Sequence, residues 1–210
     1  MRLVIRDIVK RNQEELLLDK AGYTFYQGKV YGISGKEKSR KALMGCIAFE
    51  DRYDSGSMEL ICAGRNCMAP AMVVRFPEEP AFPEFLTVRE FLKYYIDINR
   101  RNIAELKTID EYLAYVELEH VRSDRMLKDF TWEERMRLEF LCLLITTPPV
   151  LLIDNLQSIN NVDFLKDIKG YIDRLKESSI ILLESTNNAV TVFLCDEELT
   201  INNGCIQGGM

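Results

Sequence analysis

The sequence predicts an α/β fold with a mostly parallel core sheet, an N-terminal antiparallel β part and a helical insertion. Three short apolar runs of the kind that forms buried parallel strands lead to this prediction, at 30–33, 150–154 and 180–183. Helical patterns lie between the runs, which is the order that a parallel sheet needs. We expect one domain over residues 1–210, with a helical subdomain at about 77–130.

The N-terminal part is predicted to form strands, turns and one helix. Residues 1–10 and 16–25 show the alternation of strands, and Gln27-Gly28 marks a turn before the run at 30–33. The elements predicted after that run are a helix at 39–49, a turn at Ser55-Gly56-Ser57, a strand at 58–62, a turn at Ala63-Gly64 and a strand at 72–76.

From Pro77 onward the sequence is typical of helices that follow an irregular, proline-rich loop. Three helix starts have the spacing of a capping box, in which a threonine caps the helix and a glutamate three residues later bonds back. These pairs are Thr87 with Glu90, Thr108 with Glu111, and Thr131 with Glu134, the last opening a helix to about Ile145. The later elements are a helix with Leu165, Ile168, Ile172 and Leu175 on one face, and a hairpin around Asn203-Gly204.

Composition excludes several classes of protein. The net charge of −6 does not favour a nucleic-acid binder, and no apolar run approaches the roughly 20 residues of a membrane span. The N-terminus lacks the pattern of a secretory signal, so we expect a cytoplasmic chain that meets the membrane only through partners. Six cysteines without a C-x-x-C pair, together with a single histidine, argue against zinc. Buried reduced thiols are expected at Cys46, Cys142 and Cys195.

The chemically informative stretch follows the run at 30–33 and matches an altered phosphate loop. The pattern G-x-x-x-x-G-K-[ST] starts at Gly35 and keeps Lys41, but Arg40 replaces the second glycine and Ala42 replaces the Ser/Thr. A nucleotide bound here would contact Gly35, Lys36, Lys38, Ser39, Arg40, Lys41 and Ala42. The stretch is strongly basic and suits an anion such as ATP. The alternative is that these side chains face solvent and bind nothing.

With these elements in order, the chain resembles the nucleotide-binding subunit of an ATP-binding cassette (ABC) transporter over almost its whole length. The resemblance implies a P-loop NTPase fold of the ABC ATPase type. The spacing from Phe130 to Asp154 agrees with the distance from the family's signature to its acidic strand. The other matching stretches are Gly28-Lys29-Val30-Tyr31-Gly32-Ile33, Asp54-Ser55-Gly56-Ser57-Met58-Glu59-Leu60, Leu86-Thr87-Val88-Arg89-Glu90-Phe91-Leu92, Leu194-Cys195-Asp196 and Asn203-Gly204.

The resemblance also shows which catalytic positions have changed. Asp154 matches the acid that helps to hold Mg²⁺, but Ala42 removes the other protein ligand, so metal binding at Asp154 is expected to be weak. Asn155 occupies the position of the glutamate base, Thr186 that of the switch histidine, and Glu78 that of a nucleotide-site glutamine. Asparagine can orient water but cannot accept its proton. No catalytic residue is therefore assigned.

The family's signature L-S-G-G-Q, which faces the nucleotide of the opposite subunit, falls on 130–134. Trp132 is bulky where the family has glycine, and Glu133 and Glu134 are acidic where a phosphate would approach. The alternative interpretation is structural and is favoured, since Thr131 and Glu134 can simply cap a helix.

We interpret the chain as a catalytically impaired ABC subunit, a pseudo-ATPase. The resemblance implies two partners, a second ABC ATPase subunit that is active and a transmembrane permease docked near Phe82, Phe85 and Leu86. It places the chain at the inner face of the membrane, with ATP as the implied cofactor. Two alternatives stay open, an atypical but active ATPase subunit and a stand-alone ABC-like binding module.

Overall fold

A computed structural model describes residues 1–77, 79–103, 105–122, 124–154, 156, 159, 161–185 and 189–208. Ten strands occur in this part of the chain. They are β1 (Arg2–Asn12), β2 (Glu15–Tyr26), β3 (Val30–Gly35), β4 (Ser55–Cys62), β5 (Arg65–Asn66), β6 (Val73–Phe76), β7 (Val150–Ile153), β8 (Ile180–Glu184), β9 (Glu197–Asn202) and β10 (Cys205–Gly208).

Six α-helices accompany these strands over the same described residues. They are α1 (Glu37–Ile47), α2 (Val88–Asn99), α3 (Ile109–Ala114), α4 (Trp132–Thr146), α5 (Val162–Lys176) and α6 (Ala189–Leu194). The three predicted capping boxes are confirmed at the N-termini of α2, α3 and α4. On α5, Ile168, Ile172 and Leu175 are fully buried as predicted, whereas Leu165 is only partly buried.

The chain divides into two compact units. The first comprises Met1–Glu78, Pro148–Asn160 and Lys176–Met210, and the second comprises Glu79–Thr147 and Asn161–Leu175. The second unit is larger than the insertion expected at 77–130, because α4 and nearly all of α5 belong to it. Within this unit α2 and α4 are joined by a hydrogen bond from the Tyr95 hydroxyl to the carbonyl of Cys142, 3.1 Å long.

The core sheet of the first unit has six strands in the order β10-β9-β3-β8-β7-β6. All neighbours pair in parallel except β10, which runs antiparallel to β9 at one edge. Every residue of β7 and β8 is buried, as expected for strands covered on both faces. The mostly parallel sheet is therefore confirmed. Its arrangement brings the carboxyl ends of β3 and β8 side by side.

The N-terminal antiparallel part is confirmed as a four-stranded sheet in the order β2-β1-β4-β5. The turn predicted at 55–57 is wrong, because these residues begin strand β4. Gly56 lies in a register shift between β1 and β4 and has a φ of +105°. A Cβ at Gly56 would lie 2.6 Å from the carbonyl oxygen of Asp7, so this glycine permits a bulge rather than a turn.

The burial and pairing of the cysteines agree only in part with the buried, reduced thiols that the sequence predicts. Cys46 and Cys142 are free and buried, but the thiol of Cys195, which is in no disulfide, is only partly buried. The structure pairs Cys62 with Cys67 as a disulfide beside the β4–β5 turn. None of the helices in the described residues combines the length and hydropathy that crossing a lipid bilayer would require.

Candidate functional site

The segment that matches a phosphate loop is a strand, one linking residue and a helix. Strand β3 ends at Gly35, Lys36 is the extended N-cap residue, and α1 begins at Glu37, two residues earlier than predicted. The backbone N–H groups of Ser39 and Arg40 both bond to the carbonyl of Lys36 at 3.0 Å. A phosphate loop instead turns successive N–H groups toward the ligand. Residues 37–40 therefore form a first helical turn, and not an open loop.

The glycine that opens this segment is required by packing. Gly35 has a φ of +118°, a conformation that glycine adopts readily and other residues rarely. A Cβ at this position would overlap the carbonyl oxygen of Ile201 on the neighbouring strand β9. The packing of β9 therefore accounts for Gly35 without any ligand.

The buried guanidinium of Arg40 is the central group of the site. Its Nε and Nη2 atoms both lie 3.0 Å from Oε1 of Glu184, and Nη1 donates to the carbonyl oxygen of Gly35. Arg40 is 8% exposed and Glu184 is 6% exposed. The two side chains form a buried ion pair at the carboxyl ends of β3 and β8.

The remaining basic residues of the segment point outward. Lys38 pairs with Glu15 at 2.6 Å, and Lys41 pairs with Glu37 at 2.6 Å along the exposed face of α1. The bond to Glu37 raises the pKa of the Lys41 ammonium, since it favours the charged form. Lys36 is exposed, whereas Ser39 and Ala42 are buried. The lysines therefore do not converge on one point inside the site.

A groove of about 340 Å³ lies beside these lysines in the first unit. Carboxylates within and next to the groove offset much of its positive charge, since Lys38 and Lys41 are already paired with glutamates. Its lining residues are Lys10, Arg11, Asn12, Leu17, Lys38, Lys41, Ala42 and Asp51. The groove is thus of mixed charge.

The acid expected to hold a metal ion is paired with a cation instead. Nε of Arg75 donates to both carboxylate oxygens of Asp154 at 3.0 Å, and Arg75 also contacts Glu50. Ala42 supplies no oxygen ligand at its position. Across the described residues, no group of three or more His, Cys, Asp or Glu side chains is arranged to hold a metal ion. These residues do not fit a Mg²⁺ site of the family's type.

The signature segment caps a helix, as the structural interpretation predicts. Thr131 accepts from the backbone N–H of Glu134 at 3.3 Å, and Oε2 of Glu134 accepts from the N–H of Thr131 at 2.7 Å. Trp132 packs edge-on against Phe164, with ring centroids 6.0 Å apart. Glu133 accepts a bond of 3.2 Å from the Asn161 amide. Each of these side chains has a partner within the second unit.

Glu134 is the most tightly held acid of this segment. Its Oε1 atom lies 2.6 Å from Nη1 of Arg125 and 3.7 Å from Nε2 of His120. Burial alone would raise the pKa of this carboxyl, but the bonds from Arg125 and from the Thr131 backbone outweigh burial and lower it. The carboxylate is therefore stabilised in its charged form by groups of the chain itself.

The structure brings together only part of the predicted set. Gly35, Ser39 and Arg40 lie at the carboxyl end of β3, whereas Lys36, Lys38 and Lys41 face outward. Three predicted positions, Glu78, Asn155 and Thr186, lie outside the residues that the structure describes.

Sequence reasoning missed two residues, Glu184 and Arg75. A charged residue at the end of the buried run at 180–183 is the available signal for Glu184. The corresponding signal for Arg75 is its place inside the short apolar strand β6.

Comparison with solved structures defines the fold first. A structure described as the ATP-binding subunit of an ABC transporter superposes with a TM-score of 0.77, at 16% identity, covering 100% of this chain and 90% of the other. A putative ABC transporter ATP-binding protein from Pyrococcus furiosus superposes with a TM-score of 0.75, at 19% identity over 95% and 97% of the two chains. The fold is that of an ABC ATPase subunit.

Relatives in sequence agree with this class. The methionine import ATP-binding protein MetN of Chlamydia pneumoniae is 22% identical over 97% of this chain, which spans 63% of the length of MetN. The ABC transporter ATP-binding protein YybJ of Bacillus subtilis is 24% identical over 97% of this chain and 94% of its own length. No protein-family model matches the chain. In fold and in sequence the chain is a relative of the ATP-binding subunits of ABC transporters.

Proposed function

We propose that the chain is a non-hydrolysing subunit of an ABC transporter complex, which pairs with an active ATPase subunit and docks on a transmembrane permease. The observation that carries this proposal is the start of α1 at Glu37. Because the N–H groups of Ser39 and Arg40 both bond to the carbonyl of Lys36, they are not turned toward a ligand as in the concave nest that holds phosphates. A site without that nest is expected to bind ATP weakly.

The other altered positions support the loss of hydrolysis independently. Asp154 is paired with Arg75, so the acid expected to hold Mg²⁺ is neutralised by a cation. Asn155 replaces the general base, which typically contributes 10²–10⁴ in rate. Each change alone would slow turnover, and together they favour a chain that has the ABC ATPase fold but does not hydrolyse ATP.

The partners are inferred from the resemblance and from one exposed segment. Relatives that carry names such as methionine import ATP-binding protein indicate a transport complex. In the segment expected to meet a permease, Phe82 packs on Phe91 with ring centroids 5.1 Å apart, whereas Phe85 is 77% exposed. Within the segment that the resemblance places against a permease, we assign the docking role to Phe85 because its side chain is exposed and that of Phe82 is packed.

Turnover and nucleotide affinity test the catalytic part of the proposal. We expect ATPase activity of the purified chain at background, and calorimetry without micromolar ATP binding, with or without Mg²⁺. Lys41→Ala should change neither result, and Lys36→Ala serves as a control of equal charge change. Turnover that Lys41→Ala abolishes would instead identify an atypical active ATPase.

Recruitment to membranes tests the partner. When the chain is co-expressed with a permease and an active ATPase subunit from the same organism, we expect it in the membrane fraction, and in the supernatant when expressed alone. Phe85→Glu should abolish recruitment, whereas Tyr94→Glu, on a side chain 63% exposed, should preserve it. Supernatant localisation in both cases would favour a stand-alone binding module.

A further inference from the structure

The buried pair of Arg40 and Glu184 lies where an α/β protein of this kind would bind an anion. Ligands of parallel α/β sheets bind beyond the carboxyl ends of the strands, and helix N-termini favour negative charge there. Glu184 is the last residue of β8 and pairs in register with Ile33 of β3. Arg40 reaches this point from the first turn of α1 and also bonds to the carbonyl of Gly35.

The two side chains satisfy each other within this site. Oε1 of Glu184 lies 3.0 Å from both Nε and Nη2 of Arg40. A guanidinium makes the same type of contact with a phosphate oxygen. With exposures of 8% and 6%, both groups are withdrawn from water. A buried cation held by a buried anion leaves no unpaired charge for a ligand to neutralise.

The carboxylate of Glu184 also competes with an incoming phosphate for the same cation. A phosphate approaching the N-terminus of α1 would meet Glu184 paired with Arg40 and Glu37 paired with Lys41. It would have to displace these carboxylates, and like charges a few ångströms apart repel strongly where water is excluded. The chain's own carboxylates therefore already occupy two cations at the place where a nucleotide-binding relative would accept phosphates.

We propose that the Glu184 carboxylate takes the place of a bound phosphate, and that its pairing with Arg40 excludes phosphate-bearing ligands from the site. This inference rests on the proposed function, since it explains why the site of a non-hydrolysing subunit stays folded without a nucleotide. In this proposal Arg40 binds the Glu184 carboxylate and does not contact ATP. The fold around this ion pair therefore needs no bound nucleotide.

Removing the internal anion provides the test, with inorganic pyrophosphate as the probe. Glu184→Ala leaves the Arg40 guanidinium buried and unpaired beside a vacated space, so the melting temperature should fall. Millimolar pyrophosphate should then restore much of the lost melting temperature. It should bind Glu184→Ala at least tenfold more tightly than it binds the wild type. Potassium chloride of equal ionic strength should not do so.

Matched variants keep the result interpretable. Glu184→Gln retains the shape and loses the charge, and it replaces Glu184→Ala if the latter fails to fold. Glu15→Ala removes the exposed partner of Lys38 and should not respond to pyrophosphate. The double variant Arg40→Leu/Glu184→Leu removes both charges and should fold without any response.

Two results would overturn the proposal. One is a rise in melting temperature with pyrophosphate that is equal in the wild type and in the Glu184 variants. The other is the absence of such a rise in both Glu184→Ala and Glu184→Gln. ATP turnover by the wild type would instead refute the proposed function, so the two failures are distinguishable.

Discussion

Arg75 and Asp154 are joined across two neighbouring parallel strands, where Nε of Arg75 donates to both carboxylate oxygens of Asp154 at 3.0 Å. Their side chains are 27% and 21% exposed. The pair links the end of β6 to the end of β7 at the edge where the sequence predicts weak metal binding by Asp154. The carboxylate thus serves the architecture of the sheet in this chain.

Arg75→Ala should lower the free energy of unfolding by about 1.5–3 kcal/mol, because a partly buried carboxylate loses its charged donor. Urea denaturation followed by circular dichroism measures this change. Arg6→Ala is the control, since its pair with Glu59 is more exposed and should be worth about 0–1 kcal/mol. Equal losses in the two variants would contradict a special role for Asp154.

Asn155→Glu should leave ATP turnover within about tenfold of background. A restored base is typically worth 10²–10⁴ in rate only when nucleotide and metal ion are in place. Arg40, Ala42 and Trp132 remain altered in this variant, and no single substitution corrects them. A coupled phosphate-release assay decides the matter, and robust hydrolysis by Asn155→Glu would refute the view that several independent changes block catalysis.

The carboxyl of Glu134 should make stability depend on pH in acid. Its pKa in the folded chain is lowered from the ordinary value of 4.5, so the stability that it contributes is fully present above pH 4.5. That contribution is lost as the pH falls through the lower, folded pKa. The melting-temperature difference between wild type and Glu134→Gln should therefore be constant near neutral pH and shrink below pH 4.5.

The cysteines outside the disulfide should differ in reactivity toward a thiol reagent. Burial raises the pKa of the Cys46 thiol to about 11, and burial raises that of Cys142 as well. Both should stay protonated and unreactive at pH 8, whereas the partly exposed Cys205 should react in the native chain. Colorimetric titration should show less native reaction in Cys205→Ala and no change in Cys142→Ala. Less labelling of Cys142→Ala would contradict this assignment.

The features that could be predicted from the sequence are those set by neighbouring residues. The apolar runs at 150–153 and 180–183 are buried strands, and the three Thr-x-x-Glu pairs cap helices, because each depends on residues a few positions apart. Gly56 shows the limit of such reasoning. Its turn-like neighbours lie inside a strand, because pairing with β1 outweighs local preference.

The groups that decide the candidate site could not be predicted in the same way. Arg40 and Glu184 are 144 residues apart, and Arg75 and Asp154 are 79 residues apart. No periodicity or motif connects residues at such distances. The sequence revealed that Arg40 and Ala42 depart from a phosphate loop, but only the fold supplies the carboxylate that Arg40 binds.

The central position of β3 has a consequence for the synthesis of the chain. Its two neighbours in the sheet, β8 and β9, come from residues 180–184 and 197–202, and Ser34 bonds to Leu199 across 165 positions. While a ribosome extends the chain, β3 therefore stays without both partners until residues 180–202 have emerged. Such non-local pairing slows folding and exposes unpaired strand edges to aggregation. Newly made chains should consequently depend on chaperones more than their completed fold suggests.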